Sequence, residues 1–581
     1  MAKSVTSVEP APEQPAAAPQ LSSTDHSIEA FDGNTEKPVD DSPVLPANAG
    51  GEPESLEDIN RGWKDYLPIS ILCCMIAFGG FVFGFDTGTI SGFVNMSDFQ
   101  RRFASRAADG TYYFTNVRTG LVIGIFNAGC AIGAFIIPKA GDLWGRRVGI
   151  MIAMIIYICG LIVQIASQYA WYQYMIGRII TGIAVGALSV LCPLFISETS
   201  PKKIRGTLVV CFQLMITLGI FIGYCVVYRT RHYDNSRQWR IPVGLCFAWA
   251  LFLLIGMVPM PESPRYLVSK GYIERAKKSI AKSNKVSPEH PAVYSEIALI
   301  QTGIDRESSE GGNVWKELFT GKPKIFYRLF LGIMLQSLQQ LTGDNYYFYY
   351  GTTIFKAAHI DSFKASIILG VVNFGFTFVG IYVIDKFGRR RCLLVGSTGM
   401  SIFMLIYTLV GSQSLYLHGQ HGPTDKSSGD ALIFVSVMFI AFFASTWAGG
   451  CYAIVSELYP SRVRTPAMAI ATLSNWIWGF LISFFTSFIT TAIGFYLGFV
   501  FFGCLLFSIP FVYFCVSETK GLSLEEVDLM YYENVLPWKS SKWVPPTKAE
   551  QKAATSWAAH DAVSSRGSRR GSFVSRNTSN A

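Results

Sequence analysis

The sequence predicts an all-α integral membrane protein of twelve transmembrane helices in two six-helix halves. Three observations predict it. Half of the 581 residues are hydrophobic, only 15% are charged and 43 are Phe. Mean hydropathy is +0.32 even with two polar tails included, the composition of a polytopic membrane protein. Apolar runs long enough to span a bilayer recur twelve times, and charged motifs of the first six recur in the second six.

Residues 1–67 form a polar N-terminal tail rich in Pro, Ala, Ser, Asp and Glu, which reads as disordered and cytoplasmic. No cleavable signal peptide is visible, so the run from Pro68 is expected to act as an uncleaved anchor. The N-terminal half, 68–260, holds spans at 68–92, 118–138, 148–167, 171–195, 206–228 and 241–260. A polar linker, 261–326, follows; within it ERAKKSIAKSNK suits a short amphipathic helix. The C-terminal half, 327–516, holds spans at 327–355, 365–384, 392–412, 431–455, 467–491 and 495–516, and 517–581 is a second polar tail. Lys139, Arg146, Arg147, Lys202, Lys203, Arg205, Lys386 and Arg389–Arg391 fall in short loops on one side. That side should be cytoplasmic, together with both termini. The net charge of +9 therefore reflects topology and does not point to nucleic acid.

Asp142-Leu-Trp-Gly-Arg146-Arg147 recurs as Asp385-Lys-Phe-Gly-Arg389-Arg390, and Glu198…Arg205 recurs as Glu457…Arg464. PESPR at Pro261–Arg265 has a weaker echo in SETKG at Ser517–Gly521. Two parallel halves imply a pseudo-two-fold axis along the membrane normal with a cavity between them. Asp142, Arg146, Asp385 and Arg389 lie at cytoplasmic helix ends, where Arg can bridge carbonyls and a facing Glu. Glu198, Arg205, Glu457 and Arg464 are placed for inter-helix ion pairs, a cytoplasmic gate that locks one state and parts in the other. Topology and local capping are the plainer alternative.

The seventh span carries an anomaly, LQSLQQLTGDNYYFYY at Leu335–Tyr350. Lipid offers its amides and carboxyl no partners, so they should face protein or a watery cavity. At about 100° per residue an unbroken helix would point Gln340 and Asn345 roughly 140° apart. Gly343 can loosen the helix there and let them converge, as transporter sites require. Such a cluster of neutral amides suits a neutral, hydroxyl-rich solute, because a hydroxyl and a carboxamide each donate and accept.

These motifs together resemble the sugar porter family of the major facilitator superfamily. The matching residues are GRR at Gly145–Arg147 and Gly388–Arg390, Gly177-Arg178, PESPR, QQLTGDN at Gln339–Asn345, SNW at Ser474–Trp476 and ETKG at Glu518–Gly521. FGFDTGTISGF, GDNYYFYYGTTIF and VLPWKSSKWVPP resemble the fungal hexose transporters of that family. The resemblance implies sugar contacts at Gln213, Gln339, Gln340, Asn345, Asn373, Asn475 and Trp476, with Tyr349 and Tyr350 at an outer gate. It implies facilitated diffusion of a hexose, glucose foremost, across the plasma membrane by alternating access. The chain departs from the pattern on the tenth span. Tyr452 stands where the family usually has Trp, and Gly449-Gly450 follows Trp447-Ala448.

Asp86 and Arg178 are the deepest charges of the first half and should pair with each other. Within the family such a pair serves either proton coupling or a structural role, so proton symport stays open. A non-transporting glucose sensor is the third reading, which the short C-terminal tail disfavours. No GxxxxGK[ST] run is present, and no covalent chemistry, cofactor or metal is implied; the protein is not expected to be an enzyme. The twelve cysteines all fall in or beside apolar runs and read as packing residues. Asn95-Met-Ser97 matches a glycosylation acceptor on the external side. Ser568 and Ser572 follow arginines in the C-terminal tail, where a kinase could act, and both tails suit control by ubiquitin ligase.

Overall fold

The computed structural model describes residues 66–201, 204–309, 314–348, 361–415, 426–522 and 524–544. The first half comprises α1 (Leu67–Phe93), α2 (Ser97–Phe103), a two-stranded hairpin β1 (Ser105–Arg106) and β2 (Tyr112–Tyr113), and α3 (Asn116–Ile136). It continues with α4 (Pro138–Trp144), α5 (Arg146–Ala166), α6 (Trp171–Thr199), α7 (Arg205–Thr230) and α8 (Arg237–Met257). Four linker helices follow, α9 (Pro264–Ser269), α10 (Ile273–Asn284), α11 (Pro291–Ser309) and α12 (Val314–Thr320). The second half comprises α13 (Ile325–Leu341), a helical segment from 344 to 348, α14 (Ser362–Phe387), α15 (Arg389–Val410), α16 (Lys426–Ser445), α17 (Trp447–Leu458), α18 (Ser461–Ile493) and α19 (Leu497–Cys515), with α20 (Leu524–Tyr532) beyond it.

Ten helical runs among the described residues are long and apolar enough to cross a membrane. The twelve expected spans differ from that number for two physical reasons. The seventh is broken after the 17 residues of α13. The eleventh and twelfth form one 54-residue run, Arg462–Cys515, which turns at Gly494 with φ of 55°. Several helices outrun their apolar stretches. α18 begins at Ser461, before the apolar run at 467, because its first turn carries Arg462 and Arg464 into the cytoplasmic layer. α10 is the amphipathic helix of the linker, and it closes a separate small core with Leu267, Ile280, Val293 and Ile297.

The repeated motif fixes the same end of each half in the same way. Gly145 and Gly388 have φ of 105° and 91°, a region that favours glycine. A Cβ at either would meet the carboxylate of Glu262 or Glu518. Each carboxylate instead sits on a helix N-terminus. Glu262 accepts from the backbone N–H of Arg146 at 2.8 Å and Arg147 at 3.1 Å. Glu518 accepts from Arg389 at 2.9 Å and Arg390 at 3.1 Å. These groups would otherwise be orphan donors at the positive end of the helix dipole. The second arginine of each motif then caps the last helix of its half. Arg147 donates to the carbonyl of Met260 at 3.1 Å, Arg390 to that of Tyr513 at 2.7 Å. PESPR and SETKG, only weakly alike as strings, are thus equivalent parts. Behind them Arg328, fully buried at the base of α13, bonds the Leu458 carbonyl and Asp528 of α20, both at 2.5 Å.

On the other face α2 folds down as a small cap. Buried Asp98 accepts from Arg101 at 2.6 Å, Arg102 at 2.7 Å and the Trp239 indole at 3.4 Å. Burial pushes its carboxyl up, but Arg102 and Arg101 pull harder and hold it below the usual range. Asp98→Asn should therefore lower stability at pH 7 by about 2 kcal/mol, most of it from the less exposed Arg102. A folded-state carboxyl below its ordinary value stabilises above that value, about 3.9, and loses the contribution as pH falls further. The difference in Tm between wild type and Asp98→Asn should hold from pH 7 to pH 5 and shrink below about pH 4. A pH-independent difference would mean that the charge is not what holds the cap.

Candidate functional site

The polar stretch of the seventh span breaks where a glycine stands. α13 ends at Leu341, Thr342 turns its hydroxyl back to the Gln339 carbonyl at 2.7 Å, and Gly343 adopts φ of 90°. The helix restarts at Asp344. The break brings together two side chains that an unbroken helix would separate: the Asn345 amide donates to the Gln340 carbonyl oxygen.

Around that bond lies a network of carboxamides joining α13 to α18. The Gln340 amide donates to Asn475 Oδ1 at 2.9 Å. Asn475 Nδ2 donates to Gln339 Oε1 at 2.9 Å and Gln336 Oε1 at 2.8 Å. Gln339 in turn donates to the carbonyls of Trp447 and Ala448 at 3.2 and 3.1 Å. Gln336 was not singled out from sequence. Its signal was available, since it lies three and four residues before Gln339 and Gln340 and so shares their face. Trp476, next to Asn475, reaches the other half, where its indole donates to Ser189 at 3.1 Å and meets the Phe83 ring edge-on at 5.2 Å. Gln213 on α7 and Asn373 on α14 are both buried but make no hydrogen bond to this network. The Asn373 oxygen has no partner among the described residues. Tyr452 is buried and meets Phe212 of the first half edge-on at 5.9 Å. Asp344 is buried with one oxygen lacking a partner among the described residues. Tyr349, Tyr350, Ser568 and Ser572 lie outside the described residues.

Asp86 on α1 and Arg178 on α6 are both buried and meet at 2.6 Å, with the guanidinium 4.4 Å from the centre of the Phe126 ring. Both belong to the first half. At the face that carries the repeated motif the acids pair with the first arginine of the motif in their own half. Arg146 bonds Glu198 at 3.1 Å and Asp142 at 2.8 Å. Arg389 bonds Glu457 at 3.0 Å and approaches Asp385 at 3.6 Å. Arg205 and Arg464 donate to the nearby carbonyls of Ser200 at 3.4 Å and Tyr459 at 3.2 Å. Hydroxyls make contacts across the halves. Thr465 of α18 donates to Asp142 at 3.2 Å, and Thr207 of α7 donates to Asp385. A cavity of about 340 Å³ opens beside the first of these, lined in part by Asp142, Arg146, Glu198, Arg464 and Thr465.

The outer face is also bridged. Arg231 of α7 bonds both oxygens of Asp361, at 3.0 and 3.2 Å, and lies over the Tyr228 and Phe363 rings. That guanidinium holds the Asp361 carboxyl below its usual range. Tyr224 donates to the Phe348 carbonyl at 3.3 Å and Asn116 to Thr491 at 3.3 Å. The glycosylation triplet abuts the end of α1: Met96 is buried and the Ser97 hydroxyl accepts from Gln238 at 3.2 Å.

Comparison with known proteins agrees with this geometry. The family described as sugar (and other) transporter matches residues 72–531. The chain is 54% identical to a high-affinity hexose transporter of Saccharomyces cerevisiae, HXT6, over 92% of this chain and 91% of that one. It is 57% identical to a low-affinity glucose transporter of Kluyveromyces lactis, over 84% and 86%. Among solved structures, the proton:xylose symporter XylE bound to 6-bromo-6-deoxy-D-glucose superposes with a TM-score of 0.69 at 25% identity, covering 81% of this chain and 99% of that one.

The buried ion pair yields a direct test. Asp86→Asn leaves Arg178 without its counter-charge and should destabilise the protein by about 3–5 kcal/mol. The double change Asp86→Asn with Arg178→Leu should recover most of that loss, measured as Tm of the solubilised protein. A double variant no more stable than the single one would mean that the pair is not the source of the effect.

Proposed function

The chain belongs to the sugar (and other) transporter family, and we propose that it carries a hexose, glucose foremost, across the plasma membrane by facilitated diffusion. The observation that carries this reading is the carboxamide network of Gln336, Gln339, Gln340, Asn345 and Asn475 at the break in the seventh span. It offers donors and acceptors without net charge, which fits a neutral polyol and does not fit an ionic substrate. Gln340, Asn345 and Asn475 exchange their mutual bonds for bonds to sugar hydroxyls. Gln339, tied to two backbone carbonyls, orients Asn475. Trp476 and Phe83 close the aromatic side, while Gln213 and Asn373 complete the site from α7 and α14. Tyr349 and Tyr350 gate it from outside. Inside, Thr465–Asp142 and Thr207–Asp385 part when the halves rock. Both termini face the cytoplasm, and their serines, Ser568 and Ser572 among them, are targets for a kinase, with ubiquitin ligase acting on the same tails.

Proton symport is the second reading. It is favoured by the buried Asp86–Arg178 pair and by the likeness to a proton:xylose symporter. Labelled glucose uptake in a transporter-null cell decides between them. Facilitated diffusion predicts saturable uptake that equalises concentrations and is indifferent to a protonophore. Accumulation above the external level, abolished by the protonophore, would establish symport. Gln340→Ala should raise KM for glucose about tenfold or more, since it removes direct bonds and takes the Gln340 partner from Asn345 Nδ2 and Asn475 Oδ1. Unchanged kinetics would remove Gln340 from the site.

A further inference from the structure

We propose that Asn127, on α3 of the first half, is a sugar-binding residue whose carboxamide oxygen accepts a hydrogen bond from one hydroxyl of a vicinal pair while the neighbouring hydroxyl bonds Gln340. The inference rests on the hexose reading above and adds a subsite to it. Asn127 is 1% exposed, in the middle of a membrane-spanning helix. Its Nδ2 donates to Ser483 Oγ of α18 at 2.7 Å. The amide orientation follows from chemistry. The Ser483 hydroxyl gives its own hydrogen to the Gly479 carbonyl, so it must accept from Asn127, and only the NH2 end can donate. The oxygen therefore points away from Ser483, and it is buried with no partner among the described residues. An amide oxygen left unsatisfied at membrane depth is unfavourable and marks a place where a donor is received.

Gly479 shows where that donor comes from. The point where its Cβ would stand lies 3.6 Å from Asn127 Nδ2 and 3.6 Å from Gln340 Oε1. The missing side chain leaves the two amides bordering one space, one from each half. Gln340 Oε1 borders that space directly, and the Asn127 carboxamide borders it through Nδ2 and carries the unpartnered oxygen; a vicinal diol presents two adjacent donors, one for each oxygen. Because Asn127 and Gln340 belong to opposite halves, a sugar bridging them draws the halves together, and the Asn127–Ser483 bond extends the same closure. Binding and occlusion are coupled through one residue.

The test uses the full-length protein in a transporter-null cell, with uptake normalised to surface protein and with glucose and its 2-, 3-, 4- and 6-deoxy analogues as substrates. Asn127→Ala should raise KM for glucose about three- to tenfold, the range of one neutral hydrogen bond, with Vmax little changed. One deoxy analogue, the one lacking the bonded hydroxyl, should show no further rise. Gly479→Ala puts a methyl into the gap at ordinary contact distance from Asn127 Nδ2 and Gln340 Oε1, clashing with neither, and should raise KM in the same direction. It decides the matter if Asn127→Ala fails to reach the surface. An unchanged KM for glucose, or an equal rise for glucose and every analogue, would overturn the proposal. Wild-type protein that moves no hexose would overturn the hexose reading itself, and the subsite with it.

Discussion

Two carboxylates at one face of the helix bundle, Glu262 and Glu518, hold the rest of the molecule in order. Each sits on the N-terminus of a membrane helix whose entry glycine has a positive φ. The arginines that follow each glycine take one acid and one helix end apiece. Arg146 holds Glu198 and Arg147 holds the end of α8; Arg389 holds Glu457 and Arg390 holds the end of α19. Removing one partner of such a buried pair costs about 3–5 kcal/mol. A hydroxyl–carboxylate hydrogen bond between the halves contributes about 1.5–3 kcal/mol. In the proposed cycle that order of strengths keeps each half whole, and the Thr465–Asp142 and Thr207–Asp385 contacts are the ones to give way.

The substrate site depends on the opposite choice, neutral groups at a broken helix. Gly343 ends α13, and the polar residues on either side of it then bond one another. In lipid these amides would be costly without partners, so in the closed protein they satisfy each other across α13 and α18. In the proposed function a sugar replaces amide–amide bonds with amide–hydroxyl bonds of similar strength. The exchange is nearly balanced, which suits a carrier that must release what it binds.

Much of the fold was legible in the sequence because hydropathy and charge placement record it directly. The repeated Gly-Arg-Arg motifs, the glutamates and the break at Gly343 could all be read from residue type and spacing. Partner choice across the halves could not. Spacing placed Arg146 and Arg389 to bridge a facing glutamate, as they do, but did not show that Thr465 and Thr207 of the opposite half would reach Asp142 and Asp385. Asn127 was invisible for a similar reason. A single Asn in an apolar helix reads as interhelical glue until its free oxygen and the gap at Gly479 are seen together. Asp344, the most conspicuous charge of the stretch, donates its backbone N–H to Thr342 at 3.5 Å, and one of its oxygens has no partner among the described residues.

The location of the charges also bears on how the protein cycles. On the inner face every acid of the two motif clusters keeps an arginine of its own half when the halves separate. On the outer face Arg231–Asp361 does cross between halves, but both side chains are partly exposed, and water takes over when they part. The pairs Arg146–Glu198, Arg146–Asp142, Arg389–Glu457 and Arg389–Asp385 therefore need not break when the halves rock. Asp86–Arg178 lies wholly within the first half, so rocking leaves it intact as well. Nothing in that motion requires Asp86 to gain or lose a proton. Under the proposed facilitated diffusion the pair is a structural element of the first half, and net flux follows the substrate gradient alone.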